Sequence, residues 1–450
     1  MAEPHFHPAA PQGDPRGPAP PPSSRGDRQK DTLYEVSRLY REHVSPDLAR
    51  LIKFGGPGTL ESEAEGCCVT DHLGREYLDL AGGYGVFNLG HRHPAVVQAV
   101  KAQLDRLPLS SRLMLNQDLA YLARDLAAVA PGQLRYSFFC NSGTEAVEGA
   151  LKLARLSTGR TGFVAAENSY HGKSMGSLSV TGREKYRSPF EPLIPDVAFV
   201  PFGDVAALEA AITERTAALI LEPVQGEGGI HVAPDGYLRR AAELCSERGA
   251  LLIADEVQTG LGRTGKMFAV EHWGVEPDIL VLAKALGGGV VPAGAFMGTP
   301  AVWAAFKGQP LIHTSTFGGN PLACVAARAT LEVLRSENLC ERAASSGRFL
   351  LAGLKNLQES YSDLIREVRG LGLMIGLEMV SEADAGALIS ELTKAHLLAV
   401  YTLNQPRVIR FEPPLQISAA QLEGALVALA KALGTIRVVR DVRTSGIRLS

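Results

Sequence analysis

Long apolar runs are absent from this sequence. None of its stretches approaches the roughly 18 apolar residues that a transmembrane helix needs, so it contains no candidate membrane span. A charge excess is also missing, because 45 basic residues face 48 acidic ones and the formal net charge is −3. That balance gives no reason to expect a nucleic acid or an acidic membrane surface as a partner. With 450 residues and 46% hydrophobic content, the chain is expected to form more than one globular part.

Paired cysteines are missing as well. The sequence has no C-x-x-C pair and no cluster with zinc-ligand spacing, although it contains six cysteines: Cys67, Cys68, Cys140, Cys245, Cys324 and Cys340. In a chain of this size with no recognisable signal peptide, we expect buried thiols rather than disulfides. A reducing cytoplasm is the expected location.

Residues 1–30 differ in composition from the rest of the chain. They contain eight prolines and show no apolar periodicity. Such a segment cannot bury enough surface to offset its ordering entropy, so it is expected to be a disordered tail. A targeting peptide is the alternative. The prolines would break an amphipathic helix, and Glu3 and Asp14 are unfavourable in one, so the tail is preferred.

The remaining sequence divides into three parts by pattern. Residues 31–95 lead from a helical stretch into short strands, residues 96–321 alternate strands with helices, and residues 322–450 begin with two long helices. The strands expected in the middle part cover residues 136–140, 163–166, 197–200, 218–221, 251–254, 279–283 and 293–297. This alternation predicts a mainly parallel sheet covered by helices on both faces. The last part is expected to form a separate α+β domain.

A helix is expected to begin at Pro94. Five apolar residues would share one of its faces, namely Val96, Val97, Val100, Leu104 and Leu107. The loop before it contains His91 and His93, for which a metal site is one interpretation. No third ligand occurs at a suitable spacing, so a hydrogen-bonded loop is the favoured interpretation.

Two charged residues follow neighbouring predicted strands. The strand at 251–254 ends in Asp255, and the strand at 279–283 ends in Lys284. Charged residues often end strands because they meet solvent there. In an open parallel sheet, however, ligands bind beyond the carboxyl ends of the strands. A carboxylate and an amine are therefore expected at one edge of the sheet.

A third strand, at 136–140, runs into a glycine-containing turn and then a helix. Ser142 and Glu145 match the capping-box pattern, which by itself explains both residues structurally. The same arrangement is also a phosphate site, because free N–H groups and the positive end of the helix dipole face an anion there. Ser142 and Thr144 would add hydroxyl donors around Gly143. From this segment alone the two interpretations are equally supported.

Together these strand ends supply the groups that pyridoxal phosphate chemistry requires. A lysine must bond covalently to the cofactor, and a carboxylate must keep the pyridine nitrogen protonated so that the ring acts as an electron sink. An anion site must hold the phosphate, and a flat side chain should stack on the ring.

The chain resembles the class III pyridoxal-phosphate-dependent aminotransferases from about Asp31 to the C-terminus. The resemblance rests on six segments in family order, at residues 138–145, 170–172, 221–229, 254–265, 282–289 and 314–321. It implies fold type I, with a large domain carrying a mainly parallel sheet and a smaller α+β domain built from both chain ends. Within the family, the motifs are most similar to those of members that act on putrescine.

The resemblance also implies roles for individual residues. Lys284 looks like the Schiff-base lysine and proton carrier, and Asp255 looks like the partner of the pyridine nitrogen. The resemblance further implies that Ser142, Gly143 and Thr144 hold the phosphate of the cofactor. Tyr170 is expected to stack on its ring, and Gln258 is expected to contact its phenolic oxygen. Thr316 corresponds to a residue that reaches the phosphate of a partner subunit's cofactor, which implies a homodimer with shared active sites. Glu222 and Arg410 resemble the pair that switches between amine donor and keto-acid acceptor.

The implied reaction is a ping-pong transfer of a terminal amino group from a diamine to 2-oxoglutarate, as in polyamine degradation. Acetylornithine, ornithine and 4-aminobutyrate are the alternative donors within the family. A dehydrogenase is the alternative of another class, because residues 260–265 fit G-x-G-x-x-G. That fingerprint requires the glycines directly between a strand and a helix, and here five residues intervene. A DNA-binding regulator is discounted, since the tail has neither a helix-turn-helix pattern nor a strong basic charge.

Overall fold

The computed structural model describes residues 25–445. Most of the expected tail, residues 1–24, lies outside this range. The first helix begins at Arg25 rather than near Asp31, so the helical part of the chain starts earlier than the proline content suggested. Within the described residues, no helix is both long and apolar enough to cross a membrane.

The helices and strands are numbered in chain order. The helices are α1 (Arg25–Leu39), α2 (Pro46–Gly55), α3 (Gly82–Gly85), α4 (Pro94–Arg106), α5 (Gln117–Val129), α6 (Gly143–Thr158), α7 (Met175–Ser179), α8 (Glu184–Arg187), α9 (Val205–Ala211), α10 (Tyr237–Arg248), α11 (Pro300–Trp303), α12 (Pro321–Ser336), α13 (Leu339–Ser360), α14 (Glu382–Lys394) and α15 (Ala419–Ser445). The strands are β1 (Glu61–Glu65), β2 (Cys68–Asp71), β3 (Glu76–Asp79), β4 (Tyr136–Cys140), β5 (Gly162–Ala166), β6 (Val197–Val200), β7 (Thr216–Leu221), β8 (Val224–Gln225), β9 (His231–Val232), β10 (Leu251–Asp255), β11 (Ile279–Leu282), β12 (Gly294–Gly298), β13 (Ile365–Leu371), β14 (Met374–Met379), β15 (Leu397–Leu398), β16 (Val400–Tyr401) and β17 (Val408–Phe411).

A seven-stranded sheet forms the centre of the described chain, in the order β4-β12-β11-β10-β7-β5-β6. Strands β10, β11, β7, β5 and β6 pair in parallel, and β12 is antiparallel to both of its neighbours. Central strands such as β7 and β11 are buried at every residue, as expected for strands with both faces covered. The mainly parallel sheet of the sequence analysis is therefore confirmed.

The carboxyl ends of the parallel strands meet at one edge of this sheet. Asp255 is the last residue of β10, and Lys284 follows β11 by two positions. Glu222 follows β7, and Asn141 follows β4. The polar residues that end four apolar strands are thus collected at one edge by topology, as expected of a ligand site in an open parallel sheet.

The two smaller sheets join distant parts of the chain. One has the order β13-β14-β17-β16 and carries Arg410 on β17. The other has the order β1-β2-β3-β15, in which β15 pairs in parallel with β3 through Leu397 opposite Leu78. Because β1–β3 precede the central sheet and β15 follows it, both flanks of the chain contribute to one sheet, in agreement with fold type I.

Helix α4 begins at Pro94 as expected, but its apolar face is narrower than predicted. Val96 and Val100 are buried, whereas Leu104 and Leu107 are about half exposed. The two leucines face away from the core and continue into the exposed apolar segment Leu113-Met114-Leu115. Helical spacing predicts which residues share a face of the helix. It could not distinguish the apolar residues that pack on the core from those that stay exposed.

The histidines before α4 form hydrogen bonds with carboxylates. His91 Nε2 lies 2.8 Å from Asp79 Oδ2, and His93 Nε2 lies 3.1 Å from Glu337 Oε1. Among the described residues, no cluster of three or more His, Cys, Asp and Glu side chains has the geometry to hold a metal. The hydrogen-bonded loop is therefore the interpretation that agrees with the structure.

Candidate active site

A cavity of about 690 Å³ opens at the carboxyl edge of the central sheet. Its walls include most of the residues singled out from the sequence, namely Ser142, Gly143, Thr144, Tyr170, Glu222, Asp255, Gln258 and Lys284. These residues come from five separate segments, so the sheet topology rather than any single motif creates the cavity. Its size suits a small cofactor together with a small substrate.

Lys284 lies at the start of a 3₁₀ turn, Lys284–Gly287, that follows β11. Its backbone φ of 47° is in the left-handed region, which residues other than glycine rarely adopt. Such backbone strain is typical of functional positions. Burial lowers the pKa of the Lys284 amine, while Glu412 and Glu227 oppose part of that shift. A lowered pKa increases the fraction of neutral amine that can act as a nucleophile or a base.

Asp255 is buried in the wall of the same cavity and has two hydrogen-bond donors. Its Oδ2 accepts from His171 Nδ1 at 2.7 Å, and its Oδ1 accepts from the Val257 amide at 3.0 Å. Since a carboxylate can only accept a hydrogen bond, His171 carries a proton on Nδ1, the ring nitrogen that faces Asp255. These two donors fix the carboxylate in one orientation.

The N-terminus of α6 faces the same cavity. Ser142 caps this helix through a 3.3 Å bond from the Glu145 amide to its Oγ. The reciprocal half of the predicted capping box differs, because the Glu145 carboxylate accepts from the backbone and side-chain nitrogens of Asn141 instead of the Ser142 amide. Thr144 Oγ1 lies 2.7 Å from Ser174 Oγ and 2.6 Å from Ser177 Oγ. Unpaired first-turn N–H groups and a cluster of hydroxyls suit a phosphate.

Tyr170 and Glu222 are neighbours in the cavity wall. The Tyr170 amide donates to Glu222 Oε2 at 3.0 Å, and the Gly226 amide donates to Oε1 at 3.1 Å. Burial raises the pKa of Glu222 to about 7, against the partial opposition of His171. Glu222 therefore shapes the loop that carries Tyr170.

The expected Glu222–Arg410 pair does not form. The buried guanidinium of Arg410 donates from Nη1 to Oε1 of Glu227 at 2.7 Å. Glu227 follows Gly226 in the turn between β8 and β9, which directs its side chain towards β17, whereas both oxygens of Glu222 are taken by backbone amides. The sequence prediction thus identified the right segment and the wrong glutamate.

Two donors of Arg410 remain available. Its Nε and Nη2 are buried and have no hydrogen-bond partner among the described residues. The Tyr84 ring covers the guanidinium, with 4.7 Å from Arg410 Cζ to the ring centroid. Buried donors without partners are costly, and two neighbouring N–H groups match the geometry of a carboxylate. Arg410 is therefore suited to bind a carboxylate that enters the site.

Tyr84 is held beside Arg410 by an unusual turn. Four successive residues, Gly82 to Gly85, have positive φ, and Tyr84 itself has φ 62°. Asp79 stabilises the start of this turn by accepting from the amides of Ala81 and Gly82. A Cβ at Gly82 would lie 1.9 Å from the Glu412 carbonyl oxygen, so glycine is required there both for φ and for space.

Gln258 connects the cavity wall to a further carboxylate. Its Nε2 donates to Glu412 Oε1 at 2.8 Å and lies 2.9 Å from Oε2. Glu412 comes two residues after Arg410 and is fully buried. The side-chain amide of Gln258 is thus bonded to Glu412, and the residue also lines the cavity.

Thr316 is not in this cavity. It is exposed, and its carbonyl accepts from Arg112 Nη1 at 2.7 Å. Several apolar side chains on the two segments that this bond joins are exposed: Leu113, Met114, Leu115, Leu311 and Phe317. Among the described residues, no hydrogen bond joins Thr316 to another predicted site residue.

The dinucleotide interpretation of residues 260–265 does not fit the structure. Arg263 in this loop is fully buried and donates to the carbonyls of Leu373 and Pro413 and to Asn88. A Cβ at Gly265 would contact Ala344 on α13. The loop therefore packs against other parts of the chain, and its glycines are explained by close contacts rather than by a bound phosphate.

The donor set fits pyridoxal 5′-phosphate. Lys284 supplies the amine, Asp255 supplies a buried carboxylate fixed by His171, and Tyr170 supplies an aromatic ring. The α6 N-terminus supplies an anion site, and a Cβ at Gly143 would already lie 3.0 Å from Val257, so that position has room for backbone only. Each requirement of the cofactor is met by a residue of the cavity.

Three residues of the site had no role assigned from the sequence: His171, Glu227 and Glu412. His171 and Glu227 lie inside motif segments, one position after Tyr170 and Gly226. The sequence pattern assigns roles to the neighbouring residues instead. Only the contacts of His171 with Asp255 and of Glu227 with Arg410 reveal what these two side chains do. Glu412 offered a weaker signal, a charged residue just after the apolar strand β17 and two positions from Arg410.

Comparison with known proteins gives the same class. The class-III aminotransferase family matches residues 57–433, which is most of the chain. This protein belongs to the class-III aminotransferases, and its cofactor is pyridoxal 5′-phosphate.

Solved structures of similar proteins cover nearly the whole chain. The ornithine aminotransferase from Toxoplasma gondii is 33% identical, with a TM-score of 0.85 over 93% of this chain and 100% of that one. An aminotransferase from Bacillus anthracis is 29% identical, with a TM-score of 0.84 over 92% and 100%. The acetylornithine aminotransferase from Elizabethkingia anophelis is 33% identical, with a TM-score of 0.77 over 90% and 99%.

Proposed function

We propose that this aminotransferase moves a terminal amino group from a diamine, putrescine or its homologue cadaverine, to 2-oxoglutarate. The products are an aminoaldehyde and glutamate. The observation that carries the proposal is the 2.7 Å ion pair between Arg410 and Glu227. A diamine brings a second ammonium group into the site, and an unpaired guanidinium would repel it. Neutralisation of Arg410 by Glu227 removes that repulsion.

The chain's own residues then have defined tasks. Pyridoxal phosphate, when bound, supplies the electron sink that acidifies the amine-bearing carbon. Lys284 would hold the cofactor covalently until the amine of the substrate displaces it, and the freed Lys284 amine would then take the proton from that carbon and deliver it to the cofactor. Asp255 would keep a proton on the ring nitrogen, and His171 fixes the orientation of Asp255. Ser142, Gly143 and Thr144 would hold the phosphate, Tyr170 would stack on the ring, and Gln258 would contact the phenolic oxygen.

The acceptor half of the reaction uses Arg410 differently. The α-carboxylate of 2-oxoglutarate is a planar, bidentate acceptor, and the unpaired Nε and Nη2 of Arg410 are matching donors. Binding the carboxylate strengthens as Glu227 releases the guanidinium. The same arginine therefore tolerates a cationic donor in one half-reaction and binds an anionic acceptor in the other.

Ornithine or acetylornithine is the second candidate donor. The similarity to ornithine and acetylornithine aminotransferases, 33% in each case, favours this alternative. Both amino acids carry an α-carboxylate, which would engage the free donors of Arg410 during the donor half-reaction as well. The two candidates therefore differ in what faces Arg410 when the donor is bound.

We further propose that the active form is a homodimer with shared sites. The exposed apolar side chains on the segments next to Thr316, together with Leu104 of α4 and Leu107 just after it, would form a surface that a second copy covers. Thr316 would then reach the partner's phosphate site. A reducing cytoplasm remains the proposed location, since all six cysteines are free thiols.

The test is a panel of amine donors with 2-oxoglutarate, assayed for glutamate. Putrescine, cadaverine, ornithine, acetylornithine and 4-aminobutyrate should be compared by kcat/KM. We expect the diamines to rank first. A higher kcat/KM for ornithine or acetylornithine by more than about tenfold, or about 1.4 kcal/mol, would assign the enzyme to the amino-acid-specific members of its family.

A further inference from the structure

Glu412 is a carboxylate that the mechanism above does not use. It follows β17, two residues after Arg410, and its side chain is fully buried. Both oxygens lie close to a single donor, Nε2 of Gln258, at 2.8 and 2.9 Å. Because Gln258 lines the cavity, Glu412 lies directly behind the cavity wall.

Three other acidic side chains near the cavity have separate donors for their two oxygens. These pairs are Asp255 with His171 and the Val257 amide, Glu222 with the amides of Tyr170 and Gly226, and Glu227 with Arg410 and the Leu403 amide. Glu412 has one neutral amide instead. It therefore has capacity to accept from a further donor.

The arginines near Glu412 make their hydrogen bonds with other groups. Arg410 pairs with Glu227, and Arg263 donates to two carbonyls and Asn88. No lysine or arginine of residues 31–442 is within ion-pair distance of the Glu412 carboxylate. Lys284, Arg410 and Arg263 act on it only through space. When Lys284 is bonded to the cofactor, that amine is no longer a free ammonium group.

A buried carboxylate without a cation is unfavourable, and this cost falls when a cation binds beside it. The donor substrate in the proposed function carries such a cation, namely the ammonium group at the end that does not react. Gln258 is neutral, so an ammonium group that approaches Glu412 does not have to separate an ion pair. Tyr84 and Arg410 lie close to this carboxylate: the Tyr84 ring covers the Arg410 guanidinium, and a Cβ at Gly85 would lie 3.9 Å from Glu412 Oε2.

We propose that Glu412 binds the distal ammonium group of the donor and so selects diamines over monoamines and ω-amino acids. This inference rests on the proposed function, in which the donor is a diamine. It assigns to Glu412 the specificity for the donor, while Arg410 serves the carboxylate of the acceptor. The donor and the acceptor are thereby bound by two different charged side chains, Glu412 just after β17 and Arg410 on β17.

Three substrates of nearly equal length isolate the interaction. Putrescine ends in an ammonium group, pentylamine has a methyl group in that place, and 5-aminopentanoate has a carboxylate. The first half-reaction of the cofactor-loaded enzyme is followed by stopped-flow absorbance for each of them. The fit yields a half-saturating concentration and a limiting rate. The quantity of interest is the ratio of rate to half-saturating concentration for putrescine over that for pentylamine.

We compare the wild type with Glu412→Gln, which keeps the shape and removes the charge, and with Glu412→Asp, which keeps the charge. In Glu412→Gln we expect the putrescine-to-pentylamine ratio to fall at least about tenfold, mainly through a higher half-saturating concentration for putrescine. The ratio of 5-aminopentanoate to pentylamine should rise. Glu412→Asp should retain most of the wild-type preference. Glu359→Gln, an exposed glutamate of α13, is the matched control and should leave both ratios unchanged.

Each outcome decides between the two proposals. A wild type that uses pentylamine or 5-aminopentanoate as well as putrescine overturns the diamine donor and the role of Glu412 together. A wild type that prefers putrescine, with an unchanged ratio in Glu412→Gln, overturns the role of Glu412 and leaves the donor assignment standing. Equal losses on all three substrates in both Glu412 variants, with changed cofactor absorbance, would show that Glu412 only supports Gln258.

Discussion

Arg410 and Glu227 form a buried ion pair, with 2.7 Å between Nη1 and Oε1, although 183 positions separate them in the chain. Glu227 has a second donor in the Leu403 amide at 2.8 Å, so its carboxylate is held at both oxygens. Burial alone would raise the pKa of Glu227, but Arg410 and Lys284 outweigh it and keep the pKa below its ordinary value. Glu227 therefore stays ionised, and it accepts from one nitrogen of the Arg410 guanidinium, Nη1.

Removing the charge of Glu227 should free Arg410 for carboxylates. In Glu227→Gln we expect kcat/KM for 5-aminopentanoate relative to putrescine to rise about tenfold, equivalent to about 1.4 kcal/mol. The reason is that the unpaired guanidinium attracts the carboxylate and repels the second ammonium group of the diamine. Steady-state kinetics on the two donors measure the ratio. An unchanged ratio would mean that Arg410 is too far from the donor to sense it.

Removing Arg410 should separate the two half-reactions. We expect Arg410→Ala to slow the reaction of the amine-loaded enzyme with 2-oxoglutarate by at least about tenfold, since a bidentate partner of the carboxylate is lost. The reaction with putrescine should be affected much less. Stopped-flow absorbance follows each half separately. Equal slowing of both halves would contradict the assignment of Arg410 to the acceptor.

Asp255 should matter for turnover more than for folding. We predict that Asp255→Asn binds cofactor and keeps its melting temperature within a few degrees, while kcat falls by about 10² or more, the usual scale for a group that positions a proton. A neutral amide cannot hold the positive charge on the ring nitrogen, and its NH₂ group would face a donor, either His171 or the Val257 amide. Near-normal kcat in this variant would refute the role.

The assignment of Lys284 can be checked by chemistry on the whole enzyme. Treatment of the cofactor-loaded protein with borohydride should remove its visible absorbance and fix the cofactor to one peptide. Mass mapping is expected to place the adduct on Lys284, whose amine has a pKa lowered by burial. An adduct on another lysine would show that the strained turn after β11 has a different purpose. Lys284→Ala should give no stable adduct.

Glu256 gives a pH-dependent contribution to stability. Burial raises its pKa to about 7, and bonds from Thr259 and the Val270 amide only partly oppose this. The folded state therefore binds a proton between pH 4.5 and about 7 that the unfolded state has lost, so the contribution is present below pH 4.5 and is lost as pH rises to 7. Over that interval the change is about 3 kcal/mol at about 1.4 kcal/mol per pH unit.

Glu256→Gln should remove that pH dependence. Relative to the wild type, the variant should become more stable as pH rises from 5 to 7.5, because the amide avoids an ionised buried carboxylate. Melting temperatures of the cofactor-saturated proteins measure the difference, with Glu359→Gln as the exposed control. A wild-type-minus-variant difference that is flat with pH would show that Glu256 titrates normally.

Much of the central sheet was predictable because its strands are short apolar runs that end in polar residues. Strands β4 and β6 have the predicted bounds, and the other five strands of this sheet differ at their ends by one or two residues. The edge that collects Asp255 and Lys284 follows from parallel topology, which such runs indicate. These features depend on local composition and on a general rule of chain connection.

The parts that escaped prediction depend on contacts between distant segments. Glu222 and Glu227 lie in one motif, and only the turn between β8 and β9 decides which of them meets Arg410. The exposure of Leu104 and Leu107 depends on which surface of α4 the core reaches. Glu412 carries only a weak local signal, a charge just after β17, since its position behind Gln258 results from the packing of β17 against the loop after β10.

The pairing of β15 with β3 has a consequence for biosynthesis. Leu78 and Leu397 are about 320 residues apart, and the ribosome adds roughly 5–20 residues per second. One edge of β3 consequently waits tens of seconds for its partner strand while the nascent chain grows. An open strand edge is a template for pairing with other chains, so the newly made polypeptide is exposed to aggregation during this interval.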